Sequence, residues 1–296
     1  MITPRKSLGQ NFLVDSRVAA RVINAVSPLP TDILIEIGPG RGELTRALVA
    51  RSGYVVAVEI DRRLIDGLRS SLPREKFTVV ENDALRVNWS ELAGLAEAEV
   101  DRLRPPVASA STKRRVRVVA NLPYYISTPI IERLIRARGI IHDMTLMLQN
   151  EVAGRITSEP GRKEYGSLSV LVQCYCIATK LFEVPPSAFK PAPKVQSAVV
   201  SLAVRDRPAV DVDDEERFFA LVRAAFAQRR KTLANNLKAL VNSSGLTTSI
   251  EGVLERAGID SRRRAETLSI EEFNALYGAM YFKRTAVPGE TACYNS

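Results

Sequence analysis

Three apolar runs, beginning at Ile33, Tyr54 and Phe77, each end at a glycine or an acid, and this most narrows the folds open to the chain. The first, Ile33 to Ile37, meets Gly38-Pro39-Gly40-Arg41-Gly42 and then the helical spacing of Leu44, Ala47 and Leu48. Strand, glycine turn, helix is the opening unit of a doubly wound α/β fold. A fourth run, Val116 to Ala120, passes into Asn121-Leu122-Pro123-Tyr124. Pro123 cannot donate to a sheet ladder and biases its predecessor toward an extended shape, so the strand should stop there. Thr128-Pro129 then starts a helix with Ile131, Leu134 and Ile135 inward, and Met144 to Leu148 is a fifth strand. Ser167 to Ala178 and Ser197 to Val204 are β-rich and should pair as an antiparallel edge, joined by the proline-rich extended loop Phe182 to Lys194.

Flanking segments read less regularly. Asp15 or Ser16 can cap a first helix with Val18, Val22, Ile23 and Val26 as its apolar stripe. Gln10 to Leu13 before it is compatible with a plain loop carrying hydrophobic anchors. Residues 91–114 lack periodicity, and the stretch from Pro105 reads as an exposed, mobile loop. From about Arg207 the pattern turns helical. Asp213-Asp214-Glu215 opens one helix with acids in its first turn, Leu233, Leu237, Leu240 and Val241 mark a second, and Ile270, Phe273, Leu276 and Tyr277 a last.

In an open α/β sheet, ligands bind at the carboxyl ends of the strands. The glycine loop is GxGxG rather than the GxGxxG of dinucleotide sites, and alone it fits many nucleotide-type ligands. Glu59, at the second tip, stands where an acid accepts hydrogen bonds from both ribose hydroxyls. Asp83, at the third, can accept one from an exocyclic amine. Three such tips together describe an adenosine-shaped pocket. Asn121 and Tyr124 stand at the fourth.

Reactive machinery is otherwise sparse. The one histidine, His142, sits among apolar residues with nothing resembling an acid–base pair beside it. No metal-ligand spacing appears, and no serine or cysteine nucleophile has a recognisable partner. Chemistry here should work by positioning. Methyl transfer from a sulfonium donor fits, because the leaving group departs neutral and needs no acid. An adenine N6 is a poor nucleophile, but Asn121 Oδ1 and the Leu122 carbonyl can accept its two protons and favour a pyramidal nitrogen. Tyr124 would stack on the base, which must leave its helix to enter such a slot.

The formal charge of +9 suits a polyanionic partner or simply good solubility, and residues 207–290 nearly balance acids against bases, so most of the excess lies earlier. The basic clusters there are Arg5-Lys6, Lys113-Arg114-Arg115-Arg117, Arg133/Arg136/Arg138 and Arg162-Lys163. No apolar run approaches the ~18 residues of a membrane span. The start lacks the apolar core of a signal peptide, which predicts a cytoplasmic protein. Cys174 and Cys176, two apart, should share one face of a strand as buried thiols, and Cys293 lies in a polar tail.

Across most of its length the chain resembles the KsgA-type rRNA adenine N6-dimethyltransferases. The matching stretches are GQNFLVD from Gly9, EIGPGRGELT from Glu36, VEID from Val58, NDAL from Asn82, NLPYYISTP from Asn121 and YGSLSVLVQ from Tyr165. They continue with FEVPPSAFKPAPKVQSAVV from Phe182, FFALVRAAFAQRRKTLANNL from Phe218 and RAETLSIEEF from Arg264. The resemblance implies a Rossmann-like methyltransferase sheet with an antiparallel edge strand over residues 1–206, an all-helical, RNA-binding C-terminal domain over 207–284, and a disordered tail, 285–296. It implies S-adenosyl-L-methionine as cofactor, contacted by Asn11, Leu13, Gly38, Gly40, Glu59, Ile60, Asp83, Ala84 and Asn121. The catalytic motif would be Asn121, Leu122, Pro123 and Tyr124.

The implied substrate is 16S rRNA in an immature small ribosomal subunit, two adjacent adenosines near its 3′ end being dimethylated by a monomeric enzyme that needs no metal and no membrane. Any leader arm before the QNFL stretch should be short. A related family methylates an adenosine of 23S rRNA and confers macrolide resistance, but FAQRRKTLANNL and RAETLSIEEF favour the small-subunit group. A transcription or ribosome-assembly factor with secondary catalysis is disfavoured by the intact NLPY and cofactor set. A nicotinamide oxidoreductase is disfavoured by the GxGxG spacing.

Overall fold

The computed structural model describes residues 3–103, 116–243 and 249–281. They divide into two compact units, Met1–Ser158 with Leu171–Pro208, and Glu159–Val170 with Ala209–Ser296. The strands all lie in the first: β1 (Phe12–Leu13), β2 (Ile33–Ile37), β3 (Tyr54–Glu59), β4 (Phe77–Glu81), β5 (Val116–Asn121), β6 (Ile141–Gln149), β7 (Cys176–Val184), β8 (Phe189–Lys190) and β9 (Ser197–Val204). Helices α1 (Ser16–Val26), α2 (Thr45–Arg51), α3 (Arg62–Ser71), α4 (Trp89–Leu103), α5 (Ser127–Arg136) and α6 (Asn150–Thr157) alternate with them, and α7 (Ser167–Tyr175) runs directly into β7.

Seven strands form one sheet in the order β4-β3-β2-β5-β6-β9-β7, and β1 pairs with β8 in a second. Pairings from β4 to β6 are parallel, and both pairings of β9 are antiparallel. The chain therefore winds outward from β2 in one direction and returns to its other side at β5. That reversal opens a crevice at the carboxyl ends of β2 and β5. β2 and β3 are buried along their whole length, as parallel strands covered on both faces must be. β7, on the edge, is buried only at its two ends and alternates exposed and half-buried residues between them.

At the opposite end of the sheet Arg117 ties three strands together. Its guanidinium donates to Asp32 and Asp143, both at 2.8 Å, and to the Val26 carbonyl at 2.6 Å. Asp15 caps α1 by accepting the Arg17 and Val18 N–H groups at 2.8 and 3.3 Å, and the buried stripe is Val18, Val22, Ile23 and Val26 as its spacing predicts.

Four expectations are corrected. Residues 167–175 are helix α7, so the antiparallel partner of β9 is β7, which starts only at Cys176. A short, wholly apolar run does not distinguish strand from buried helix, and the helix is entered where Ser169 Oγ accepts the Gly166 N–H at 3.0 Å. Cys174 and Cys176 are accordingly on a helix and a strand, both buried and in no disulfide among the described residues. Phe182 to Val184, expected in the proline loop, belong to β7, and the rest of that loop holds a single 3-10 turn (Pro186–Ala188) and β8. Residues 91–103 are helix α4: Asn88 Oδ1 accepts the Ser90 and Glu91 N–H groups while Asn88 Nδ2 donates to Glu91 Oε1. The remainder of that stretch, residues 104–115 with Lys113 to Arg115, lies outside the described residues, as do the 285–296 tail and Cys293.

The second unit contains α8 (Glu215–Ala225), α9 (Leu233–Ser243), α10 (Ile250–Arg256) and α11 (Ile270–Tyr281), and no strand among its described residues. Residues 159–170 group with it, a contribution that a boundary at 206/207 leaves out. α10 is too short to announce itself by periodicity, being seven residues capped by Ser249. The core is aromatic, with Phe226 against Tyr165 and Phe273 at centroid distances of 6.0 and 5.8 Å, and Phe218 against Tyr277 at 5.8 Å. Among the described residues no helix is long and apolar enough to cross a membrane.

Candidate active site

One cleft at the carboxyl ends of β2, β3, β4 and β5 gathers every site residue singled out from the sequence. Asn11 and Leu13 come from the segment before α1, Gly38 and Gly40 from the loop after β2, and Glu59 and Ile60 from the end of β3. Asp83 and Ala84 follow β4, and Asn121, Leu122, Pro123 and Tyr124 follow β5. Two side chains fasten the amino-terminal segment across these tips. Gln10 Nε2 donates to Asp61 at 3.0 Å, and Asn121 Nδ2 donates to the Asn11 carbonyl at 3.2 Å. Phe12 and Leu13 then add backbone pairing to β8. The QNFL segment is thus a wall of the cleft.

The glycine loop works by shape. Gly38, Gly40 and Gly42 all have positive φ, at 66°, 57° and 83°, a conformation that side-chain-bearing residues rarely adopt. The Gly38 N–H is given to the Val58 carbonyl at 2.9 Å and that of Gly40 to Glu59 Oε2 at 3.2 Å, so these donors serve the loop itself. The helix does not begin until Thr45. A Cβ on Gly38 would meet nothing within 4 Å, whereas one on Gly40 would press on the Phe12 ring at 3.1 Å. The loop therefore leaves open space at Gly38 and a tight seam at Gly40.

Glu59 is buried and accepts one backbone N–H on each oxygen, from Gly40 at 3.2 Å and from Asp61 at 2.8 Å. Each oxygen keeps lone-pair capacity for a further donor. Burial pushes its pKa up. Asp61 next to it is held well below the usual carboxylate range by the Arg63 guanidinium. Asp83 Oδ1 accepts the Leu85 N–H at 2.9 Å, which turns the chain around the carboxylate. Ile60, 49% exposed, lays an apolar side chain on the cleft surface.

At the β5 tip, the donation from Asn121 Nδ2 to Asn11 fixes the amide and leaves Oδ1 as its acceptor end. Leu122 is anchored through its N–H to the Met147 carbonyl at 3.1 Å, and its side chain is buried. Its carbonyl precedes Pro123, which has no N–H to offer. Tyr124 is half-buried, with its hydroxyl 2.6 Å from Ser197 Oγ. Burial raises its pKa. The ring is thereby fixed as a wall rather than poised as a base.

Among the cleft residues that sequence reasoning gave no role, two matter most here. Phe189, in β8, is buried and lines the cleft from the side of the amino-terminal segment. Its signal was the proline-bounded SAFKP context, which announces order but no direction. Glu36 is the lone acid within the otherwise apolar β2 and is 2% exposed. Among the described residues its Oε2 has no hydrogen-bond partner, and the nearby Thr45 hydroxyl, also without one, falls outside hydrogen-bond geometry. Burial pushes the Glu36 carboxyl from an ordinary 4.5 up to about 8.

That shift carries a sign. Between 4.5 and 8 the folded chain holds the Glu36 proton more tightly than the unfolded chain, so its contribution is full below 4.5 and lost as pH rises through 8. The melting temperature of the purified protein without added ligand should fall over this window, and Glu36→Gln should flatten the fall. Parallel wild-type and variant curves in thermal melts across that range would show that Glu36 does not carry it.

The profile of the ribosomal RNA adenine dimethylase family matches residues 1–276. A protein of Moorella thermoacetica named ribosomal RNA small subunit methyltransferase A is 45% identical over 278 residues, covering 93% of this chain and 92% of its own. One of the same name from Clostridium botulinum strain Kyoto is 44% identical, covering 93% and 94%. Among solved structures, a dimethyladenosine transferase from Plasmodium falciparum is similar with a TM-score of 0.71 and 26% identity, covering 90% of this chain and 95% of its own. The 23S rRNA methyltransferase ErmE is similar with a TM-score of 0.64 and 26% identity, covering 91% and 99%.

Proposed function

The chain belongs to the ribosomal RNA adenine dimethylase family, and on that premise we propose that it transfers methyl groups from S-adenosyl-L-methionine to N6 of two adjacent adenosines near the 3′ end of 16S rRNA. It is an S-adenosylmethionine-dependent rRNA adenine dimethyltransferase of the small subunit. The single observation that carries the assignment to this cleft is the convergence of an acceptor amide oxygen (Asn121), a proline-preceding carbonyl (Leu122) and a fixed aromatic wall (Tyr124) beside the acids of β3 and β4.

The cleft suits the cofactor. The space left at Gly38 admits a ligand against the backbone, and the unpaired buried Glu36 oxygen suits an ammonium group. Glu59 and Asp83 would hold the ribose hydroxyls and the adenine amine, with Ile60 and Ala84 against the ring and Leu13 and Gly40 closing the sides. When bound, the cofactor supplies an electrophilic methyl on a cationic sulfur. Asn121 Oδ1 and the Leu122 carbonyl accept hydrogen bonds from the N6–H groups of the target, two in the first transfer and one in the second, which frees the nitrogen lone pair and stabilises positive charge growing on it. Tyr124 keeps the flipped base in plane. No side chain need act as a base in this scheme: the methylated nitrogen, now cationic and acidic, releases its proton to water.

The enzyme works as a cytoplasmic monomer on an incompletely assembled small subunit, and its helical unit holds the RNA. The exposed Arg229, Arg230 and Lys231 between α8 and α9 support that last reading. Incubation with labelled S-adenosylmethionine and small subunits, large subunits or naked rRNAs lacking the modification tests the whole. Label should enter 16S rRNA as dimethyladenosine. Label in 23S rRNA instead would overturn the substrate assignment.

A further inference from the structure

Tyr125 stands on the rim of the cleft and is 60% exposed, the most accessible large apolar side chain among the described residues. It follows Tyr124 within the 3-10 turn Tyr124–Ile126, where successive side chains point about 120° apart. Tyr124 is directed inward and bonded to Ser197, so its neighbour is directed out. The outward ring is not loose. One part of it lies on Gly9, where a built Cβ would come within 3.0 and 3.1 Å of two ring carbons, and Gly9 has a φ of +58° that further favours glycine. The backbone here leaves room for an aromatic ring at this point while keeping much of its surface in solvent.

A single exposed apolar side chain is ordinary on a protein surface, but this one stands on the cleft rim directly after Tyr124 with one side held against Gly9. It fits a stacking platform. A target base swung into a slot leaves the base next to it unstacked on one face, and every base offers a π-face to an aromatic side chain. We propose that Tyr125 stacks on the nucleotide adjacent to the adenosine held by Tyr124, so that the two consecutive tyrosines grip two consecutive bases. This rests on the reading of the cleft as an rRNA adenosine site and makes Tyr125 a positioning residue for it. With two adjacent adenosines as substrate, the base on Tyr125 during one round becomes the target of another. The same contact then serves both.

Steady-state kinetics of the full chain on small subunits should separate the roles. Tyr125→Leu keeps bulk on Gly9 but has no π-face. It should raise KM for RNA by about tenfold, as loss of one base stack does, with kcat and S-adenosylmethionine affinity unchanged. Tyr125→Phe should match the wild type. An abasic nucleotide beside the target, in an RNA with a single methylatable adenosine, should cost the wild type a similar factor and cost Tyr125→Leu nothing further. Additive losses, an unchanged KM in Tyr125→Leu, or a loss of cofactor affinity in its place would each overturn the stacking role. A wild-type chain that methylates no small-subunit RNA would instead remove the underlying reading, which the wild-type assay alone reveals.

Discussion

Asn121→Ala should lower the rate of methyl transfer at saturating substrates by about 10²–10³-fold or more, the range for removing one preorganised group from a transition state. Cofactor affinity should stay within about tenfold, because the side chain's own tie is to the Asn11 carbonyl at 3.2 Å and the other cofactor residues have independent supports. Asn121→Asp is the informative companion. A carboxylate still offers an acceptor to the target amine, but it places oxygen against the Asn11 carbonyl where an N–H now donates. It should therefore be impaired as well, through lost orientation of the β5 tip and the amino-terminal wall together. Single-turnover rates with calorimetric cofactor titration check both. A variant whose maximal rate is intact and whose cofactor binding alone is lost would move Asn121 out of the chemistry.

That tie also shows what was legible in the sequence and what was not. The strand tips announce themselves: β2, β3 and β5 are apolar runs cut off by glycine, acid or proline, and such runs have little freedom but to be central strands. The residues at their ends could be named before any coordinates. What the sequence hides is contact across long separations. Asn121 meets Asn11 over 110 residues, and Tyr124 meets Ser197 over 73, and no local pattern encodes either. Glu36 was visible as the one charge in β2, but its meaning lies in a buried Oε2 that has no hydrogen-bond partner among the described residues. The segment 167–175 misled because apolar β-formers also make a buried helix, and tertiary packing rather than propensity decides between them. The glycine loop was legible as a loop, yet its N–H groups turn inward to Val58 and Glu59, which only the fold reveals.

Glu59 is where these hidden contacts bear most on the cofactor. Its carboxylate is asked to do two things at once: hold Gly40 and Asp61 through their N–H groups, and offer its remaining lone pairs to ligand hydroxyls. Glu59→Ala removes both: the two backbone donors left in a buried place cost stability, about 1–3 kcal/mol each, and the lost contacts to the ligand hydroxyls cost affinity. S-adenosylmethionine affinity should fall by about 10²-fold or more, with the protein still folded, since β3 is otherwise anchored along its length between β2 and β4. Glu59→Gln decides between a charge effect and a hydrogen-bond effect. Its amide supplies one acceptor oxygen but turns an NH₂ toward one of two groups that are already donors. It should bind the cofactor nearly as poorly as alanine, whereas a pure requirement for ribose contact would let glutamine recover most of the affinity. Calorimetry on the three proteins reads the difference directly, and a glutamine variant close to wild type would show that the glycine loop does not depend on this carboxylate.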